Sequence, residues 1–381
     1  RENLEGVRVI RAFSRQETEK TRFSEACEEQ SNTAIRVGKL SALLNPLTYI
    51  IVNLAIVAII WFGGYQVDGG ELTQGKLIAL VNYMTQIMLA MVVVANLVVI
   101  FTRAAASAAR VNEIFSVQSS IVPGEKEVQA VSGTPRVEWK DVSFAYMGSE
   151  EYALEHVTLS VAAGETVGVI GGTGAGKSTL VNLIPRFYDV SEGALLVDGV
   201  DVREYPFAQL RTQIGVVPQR AVLFSGTIRE NMKWGDKNAS DEQIWHALDI
   251  AQASEFVKKL PEGLDYQILQ GGKNLSGGQK QRLTIARALV GSPKILVLDD
   301  SASALDFATD AALRRAIRRQ IQDMTVFMVS QRANTVKNAD KIVVLDDGEV
   351  AGIGTHGDLF ESCEVYREIC LSQLSAEEAS R

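Results

Sequence analysis

No charged residue occurs between Lys39 and Asp68, and none between Lys76 and Arg103. As a helix, residues 77–102 would be about 39 Å long, enough to cross a hydrocarbon core of about 30 Å with tilt. Residues 42–65 are also long enough. Two buried helices of a soluble domain are the competing reading, but soluble helices this long and uncharged on every face are rare. The first third of the chain is therefore expected to sit in a bilayer as two spans of a helical bundle.

The flanks give an orientation. Arg36 and Lys39 precede the first stretch, and Arg103 and Arg110 follow the second, whereas the loop QVDGGELTQGK holds Asp68 and Glu71 against one Lys76. The positive excess places both ends in the cytoplasm and the short loop outside. Pro46 is expected to kink the first span. Asn82, Thr85, Gln86 and Asn96 lie in the second; unpaired amides are costly in hydrocarbon, so they should face other helices or a wet cavity. A polar substrate path and interhelical hydrogen bonds both fit. Residues 1–39 read as one long amphipathic cytoplasmic helix, with Val7, Ile10, Ala12 and Phe13 as packing positions.

After Arg103 the helix is expected to continue through ARVNEIF, so the membrane part covers 1–115. The stretch 116–135, polar and punctuated by Pro123, Gly124, Gly133 and Pro135, reads as a linker. From Arg136 to about 375 short aliphatic strands alternate with helices, an α/β pattern, and 376–381 form a tail. The net charge of −8 gives no bulk signal for nucleic-acid binding. Cys27, Cys363 and Cys370 have no metal or redox spacing, and His156, His246 and His356 are scattered.

Chemistry concentrates in ETVGVIGGTGAGKSTLVNLI, 165–184. A strand runs into Gly171, Gly172, Thr173, Gly174, Ala175, Gly176, Lys177 and Ser178, with Thr179 continuing into a helix. This G-x-x-x-x-G-K-S pattern is a phosphate loop. Its glycines let backbone N–H groups turn around a phosphate, and the helix N-terminus adds positive dipole. Lys177 brings charge to the outer phosphates and Ser178 a hydroxyl to Mg²⁺. Far downstream, ILVLDDSASALD ends an aliphatic strand on two acids, and Asp299 is the expected Mg²⁺ residue of a P-loop nucleoside triphosphatase.

With NLSGGQKQR at 274–282 added, the chain resembles the ATP-binding cassette (ABC) family, specifically its exporters. The resemblance implies an α-helical transmembrane segment followed by an α/β P-loop domain with a helical signature subdomain. It implies ATP and Mg²⁺ as ligands, no covalent or redox cofactor, and an ATPase-coupled transporter of an amphiphilic small molecule, lipid or peptide. A multi-pass membrane location, as in a bacterial inner membrane, goes with it, and so do four earlier spans and a second half-transporter. By the same resemblance Gln219 of VPQ reaches the magnesium or the attacking water, and Tyr146 of FAY stacks on adenine. Asp306 of SALD lies in the loop toward the opposite subunit. Ser276, Gly277, Gly278 and Gln279 present a hydroxyl and backbone donors to the partner's γ-phosphate. RENLEGVRVIRAF lies near a coupling helix.

Two positions depart from the family pattern. The residue after the magnesium aspartate is Asp300 where a glutamate base is usual, one methylene shorter. The switch position is Gln331 where histidine is usual; glutamine can hydrogen-bond a phosphate but is no proton-linked switch. Loss of one positioned transition-state contact costs about 10²–10³ in rate. Gln270, where exporters often carry glutamate, is a softer departure. The pattern resembles the degenerate half of a heterodimeric exporter: its own site binds ATP and turns it over weakly, while its LSGGQ completes the partner's site. A homodimer with two slow sites, a non-transporting ATP-binding module and a purely regulatory subunit are the alternatives.

Overall fold

The computed structural model describes residues 2–374 apart from 126, 302, 303, 321 and 322. Ser303, the tail 376–381 and the side chain of Asn96 therefore lie outside the described parts. The chain divides into two compact units, residues 1–118 and 119–381.

The first unit is a helical hairpin of α1 (Gln16–Asp68) and α2 (Gln74–Ser116). Both carry a segment long and apolar enough to span a bilayer, Pro46–Asp68 and Gln74–Val94, with almost none of either buried. Ile51, Leu54, Tyr83 and Val93 all point outward, as lipid-facing or further helix-facing residues must. The helices approach closely at Gly63, where a Cβ would stand 2.4 Å from Leu77 Cδ1. The hydroxyl of Thr85 donates to Val81 O (3.0 Å), so this polar group is satisfied within its own helix.

The N-terminal segment corrects the expectation of one helix over residues 1–39. Short helices Glu2–Glu5 and Val7–Ala12 come first, and Ser14 takes a left-handed backbone (φ 51°). Ser14 N donates to Arg11 O (3.1 Å) and Arg15 N to Ile10 O (2.9 Å), the wrap of a Schellman stop. Phe13 is 74% exposed, and Val7 and Ala12 are exposed too, so these positions do not pack within the unit. α1 continues through Pro46.

The second unit contains β1 (Val137–Phe144), β2 (Leu154–Val161), β3 (Thr166–Gly171), β4 (Glu192–Val197), β5 (Val200–Asp201), β6 (Ile214–Val217), β7 (Ile295–Asp299), β8 (Thr325–Val329), β9 (Lys341–Asp346) and β10 (Glu349–Gly354). An antiparallel sheet runs β2-β1-β4-β5. A larger sheet runs β10-β9-β3-β8-β7-β6, parallel except for β10. β7 and β8 are buried at every position, which is why ILVLD and TVFMV show no alternation of apolar and polar residues. One core fills the space between the sheets, with Trp139 edge-on to Phe327 (5.7 Å). A second core lies on the other face, under α4 (Gly277–Val290), α5 (Phe307–Gln320) and α6 (Ala333–Val336).

Residues 117–136 contain no helix or strand among the described positions, yet from Gly124 onward they are pinned to this unit. Gly124 N donates to Tyr205 O (3.0 Å), Val128 N to Gln209 Oε1 (2.9 Å), and Val131 N to Asp198 O (3.0 Å).

Candidate functional site

The parallel strands β3, β8, β7 and β6 all end at one edge, where open α/β sheets place their ligands. β3 delivers the loop Gly171–Gly176, β7 delivers Asp299 and Asp300, β8 delivers Ser330 and Gln331, and β6 leads to Gln219. Together they line a cleft of about 390 Å³. The strand-end placement explains why residues more than 100 positions apart in the chain converge.

The loop is held open by backbone chemistry. Gly174 and Gly176 both sit at φ +88°, and a Cβ on Gly176 would stand 2.6 Å from Ala153 O, so no larger residue fits there. Gly176 is the N-cap of helix α3 (Lys177–Asn182). Lys177 is 8% exposed, and its ammonium folds back onto Gly172 O in the loop. Burial lowers its pKa, opposed by the charges of Asp299 and Asp300. Such an ammonium is shielded from water, where a charge-assisted hydrogen bond to a phosphate oxygen is strong.

Ser178 Oγ donates to Asp299 Oδ1 (2.9 Å). Asp299 is itself buried, and its pKa is raised by that burial, against the hydrogen bond from Ser178. This hydroxyl–carboxylate pair is a hard-oxygen donor set too small to cage a cation alone. It fits Mg²⁺, which keeps waters and shares phosphate oxygens. Among the described residues there is no cluster of three or more histidines, cysteines and acids that could hold a metal without such help.

Asp300 lies beside this pair. Its backbone is left-handed (φ 42°), its N–H donates to Val329 O (2.9 Å), and Gln219 Nε2 donates to its Oδ2 (3.3 Å). The Gln219 side chain is thus directed at the second of the two strand-end carboxylates. Gln331 lines the cleft, and its carbonyl accepts from Gln373 Nε2 (2.7 Å), tying this loop to the C-terminal helix.

Tyr146 also lines the cleft, with its hydroxyl 2.9 Å from Thr179 Oγ1. Its ring meets Phe144 and Tyr188 edge-on, at 4.9 and 5.2 Å. Tyr188, half-exposed in this aromatic corner, was not anticipated: its segment RFYDV follows the phosphate-loop helix without any spacing that marks it. Arg332, also unanticipated, lies 5.7 Å from the Phe307 ring at the start of α5.

Ser276, Gly277, Gly278 and Gln279 do not line this cleft. Ser276 caps α4: its Oγ accepts from Gln279 N (3.3 Å), and Gln279 Oε1 accepts from Ser276 N (2.9 Å). Around Gly277 a Cβ would meet nothing within 4 Å, so this helix entrance is open. Asp306 is likewise apart from the cleft; its carboxylate accepts from Thr309 N (2.9 Å) and Thr309 Oγ1 (2.8 Å), which lowers its pKa.

Two family descriptions match: "ABC transporter" over residues 154–303 and "ABC transporter transmembrane region" over residues 1–91. An uncharacterized ABC transporter ATP-binding protein of Mycobacterium tuberculosis is 41% identical over 377 residues, 98% of this chain and 64% of that protein. An ATP-dependent lipid A-core flippase of Syntrophus aciditrophicus is 36% identical over 358 residues, 94% of this chain and 59% of the flippase. The structure of a bacterial Atm1-family ABC exporter with ATP bound is similar at a TM-score of 0.86 and 31% identity, covering 98% of this chain and 66% of that one. The chain spans a little under two thirds of the length of these relatives.

Proposed function

This chain belongs to the ABC transporters, and we propose that it acts as one half of an ATP-driven exporter whose own site binds ATP and Mg²⁺ but hydrolyses slowly. The observation that carries this reading is the composition of one cleft. A complete binding set (the glycine loop, Lys177, Ser178, Asp299) stands beside Asp300 and Gln331, where glutamate and histidine would be expected. Lys177 and the loop amides hold the phosphates, and Ser178, Asp299 and Gln219 hold Mg²⁺. The ion neutralises charge on the phosphate oxygens when bound. Asp300, on its short arm, positions water poorly. Gln331 donates a hydrogen bond without titrating.

The signature Ser276–Gln279 lies outside the cleft and opens a 14-residue helix. This supports its use by a second half-transporter: an exposed helix entrance with a serine hydroxyl is a phosphate site waiting for another chain's nucleotide. Asp306 belongs to the loop that faces that partner. The cargo we propose is amphiphilic, in keeping with the apolar spans that carry Asn82 and Gln86 and with a relative that bears the name of a lipid flippase.

The test is ATPase activity of the full-length protein, alone and with its candidate partner. Loss of the partner's glutamate base should abolish turnover, and Asp300→Glu with Gln331→His should raise the contribution of this chain's site by about 10² or more. Turnover on the order of 1 s⁻¹ or faster by this chain alone, as a homodimer, would instead make Asp300 a working base.

A further inference from the structure

A second cavity, of about 500 Å³, opens at the opposite edge of the central sheet from the nucleotide cleft. It lies at the starts of β3 and β8, where Thr166, Met324 and Val326 line it, and α5 forms its roof. Its volume falls in the range of small-molecule sites, about 300–1,000 Å³. The floor is apolar: Met324, Val326 and Met328 from the sheet side, with Ile317 from the helix.

The roof is basic. Arg314, Arg315 and Arg318 all border the cavity. Arg314 donates to Asn334 O (3.2 Å) and Thr335 O (3.4 Å) and pairs with Asp310 (2.8 Å), but its Nε is buried without a hydrogen-bond partner. Arg318 donates to Asn338 O. Arg315 has neither an ion pair nor a hydrogen bond among the described residues. The acids nearby are Asp310, already paired, and Asp340, whose carboxylate accepts from Thr166 N (2.8 Å). Three guanidiniums make the roof basic over an apolar floor, and Asp340 is the acid that lines the cavity.

We propose that this cavity binds a single-chain aliphatic monoanion, with a carboxylate head on Arg315 and its chain on Met324, Val326 and Met328. Guanidinium groups match planar carboxylates, which a single alkyl chain on the apolar floor would carry to Arg315. The site is coupled to the nucleotide cleft by covalent continuity. α5 starts at the residue after Asp306, and α6 starts two residues after Gln331. A ligand that clamps α5 against α6 therefore stiffens both segments that carry those residues.

The probe is octanoate, titrated into the full chain in detergent and read by hydrogen exchange of peptides covering 307–320 and 333–338. Octanoate should slow exchange in both peptides several-fold and saturably, and octanol should leave them unchanged. Arg315→Glu, at an exposed position, should weaken binding at least tenfold. Ala311→Phe, which fills the cavity from α5, should abolish the effect while leaving thermal unfolding of the protein cooperative. Unchanged exchange at high octanoate overturns the proposal. So does equal protection by octanol, wild-type binding by Arg315→Glu, or tighter binding of octyl phosphate than of octanoate.

Discussion

Asp300 illustrates how one backbone angle and one side chain act together. Its φ of 42° is costly for most L-residues and least so for glycine, asparagine and aspartate. A glutamate here gains reach toward water but loses the short side chain that tolerates this conformation. Thermal unfolding should therefore rank Asp300→Gly at or above wild type and Asp300→Glu below it, with a spread of about 1 kcal/mol. The reverse order would show that local packing, not the backbone, governs the position. A second residue gives a pH signature. Tyr205 donates to Val197 O (2.9 Å) from the core, and burial raises its pKa from 10.0 to about 12. The raised value means its stabilising contribution is complete below pH 10 and is lost as pH climbs toward 12. Tyr205→Phe loses about 1 kcal/mol for the hydrogen bond at neutral pH but should lack this alkaline loss. The gap between variant and wild type, followed by fluorescence of buried Trp139, should narrow from pH 10 to pH 12.

At the scale of elements, four helices open with a reciprocal capping box: Thr227 with Glu230, Ser240 with Gln243, Ser276 with Gln279, and Thr355 with Asp358. Loss of one such cap costs about 1 kcal/mol. Ser240→Ala and Ser276→Ala should lower the unfolding midpoint by similar amounts, yet only Ser276→Ala should depress ATP turnover when the chain is paired with a competent partner. Equal turnover in both variants would reduce Ser276 to a cap. These boxes also show what could be read from the chain. S-x-x-Q is visible in the letters, but in LSGGQ the same residues also read as a phosphate-binding turn, and the letters alone do not separate the cap from that role. The strand ILVLD and the loop Gly171–Ser178 were legible because burial on both faces and tight turns each demand a narrow set of residues. The break at Ser14 was not, because a serine in a Schellman stop carries no glycine to announce it. The pinning of Val128 by Gln209 was equally hidden, since it depends on a contact 81 residues away.

At the scale of the whole molecule, an apolar hairpin in front of an acidic, water-facing domain requires two solvents, and the charge at the hairpin's flanks decides which end meets the cytoplasm. Cys27 is exposed on the cytoplasmic stretch of α1, whereas Gly70 lies in the loop between α1 and α2, with open space where a side chain would go. In intact cells, an impermeant thiol reagent should label Gly70→Cys and leave Cys27 untouched until the membrane is opened. Labelling of Cys27 from outside would invert the orientation.

α1 has a mechanical consequence of its own. Its 53 residues trace about 80 Å of continuous helix, with Pro46 inside it, well over twice the thickness of a hydrocarbon core. A rod of that length gears small rotations into large displacements: a swing of about 5° at one end carries the other roughly 7 Å, more than a helical turn. Side chains at the far end thus need no signal passed from neighbour to neighbour through packed contacts. They are moved by leverage, and any substitution that lets the rod bend between its ends acts as slack in the linkage.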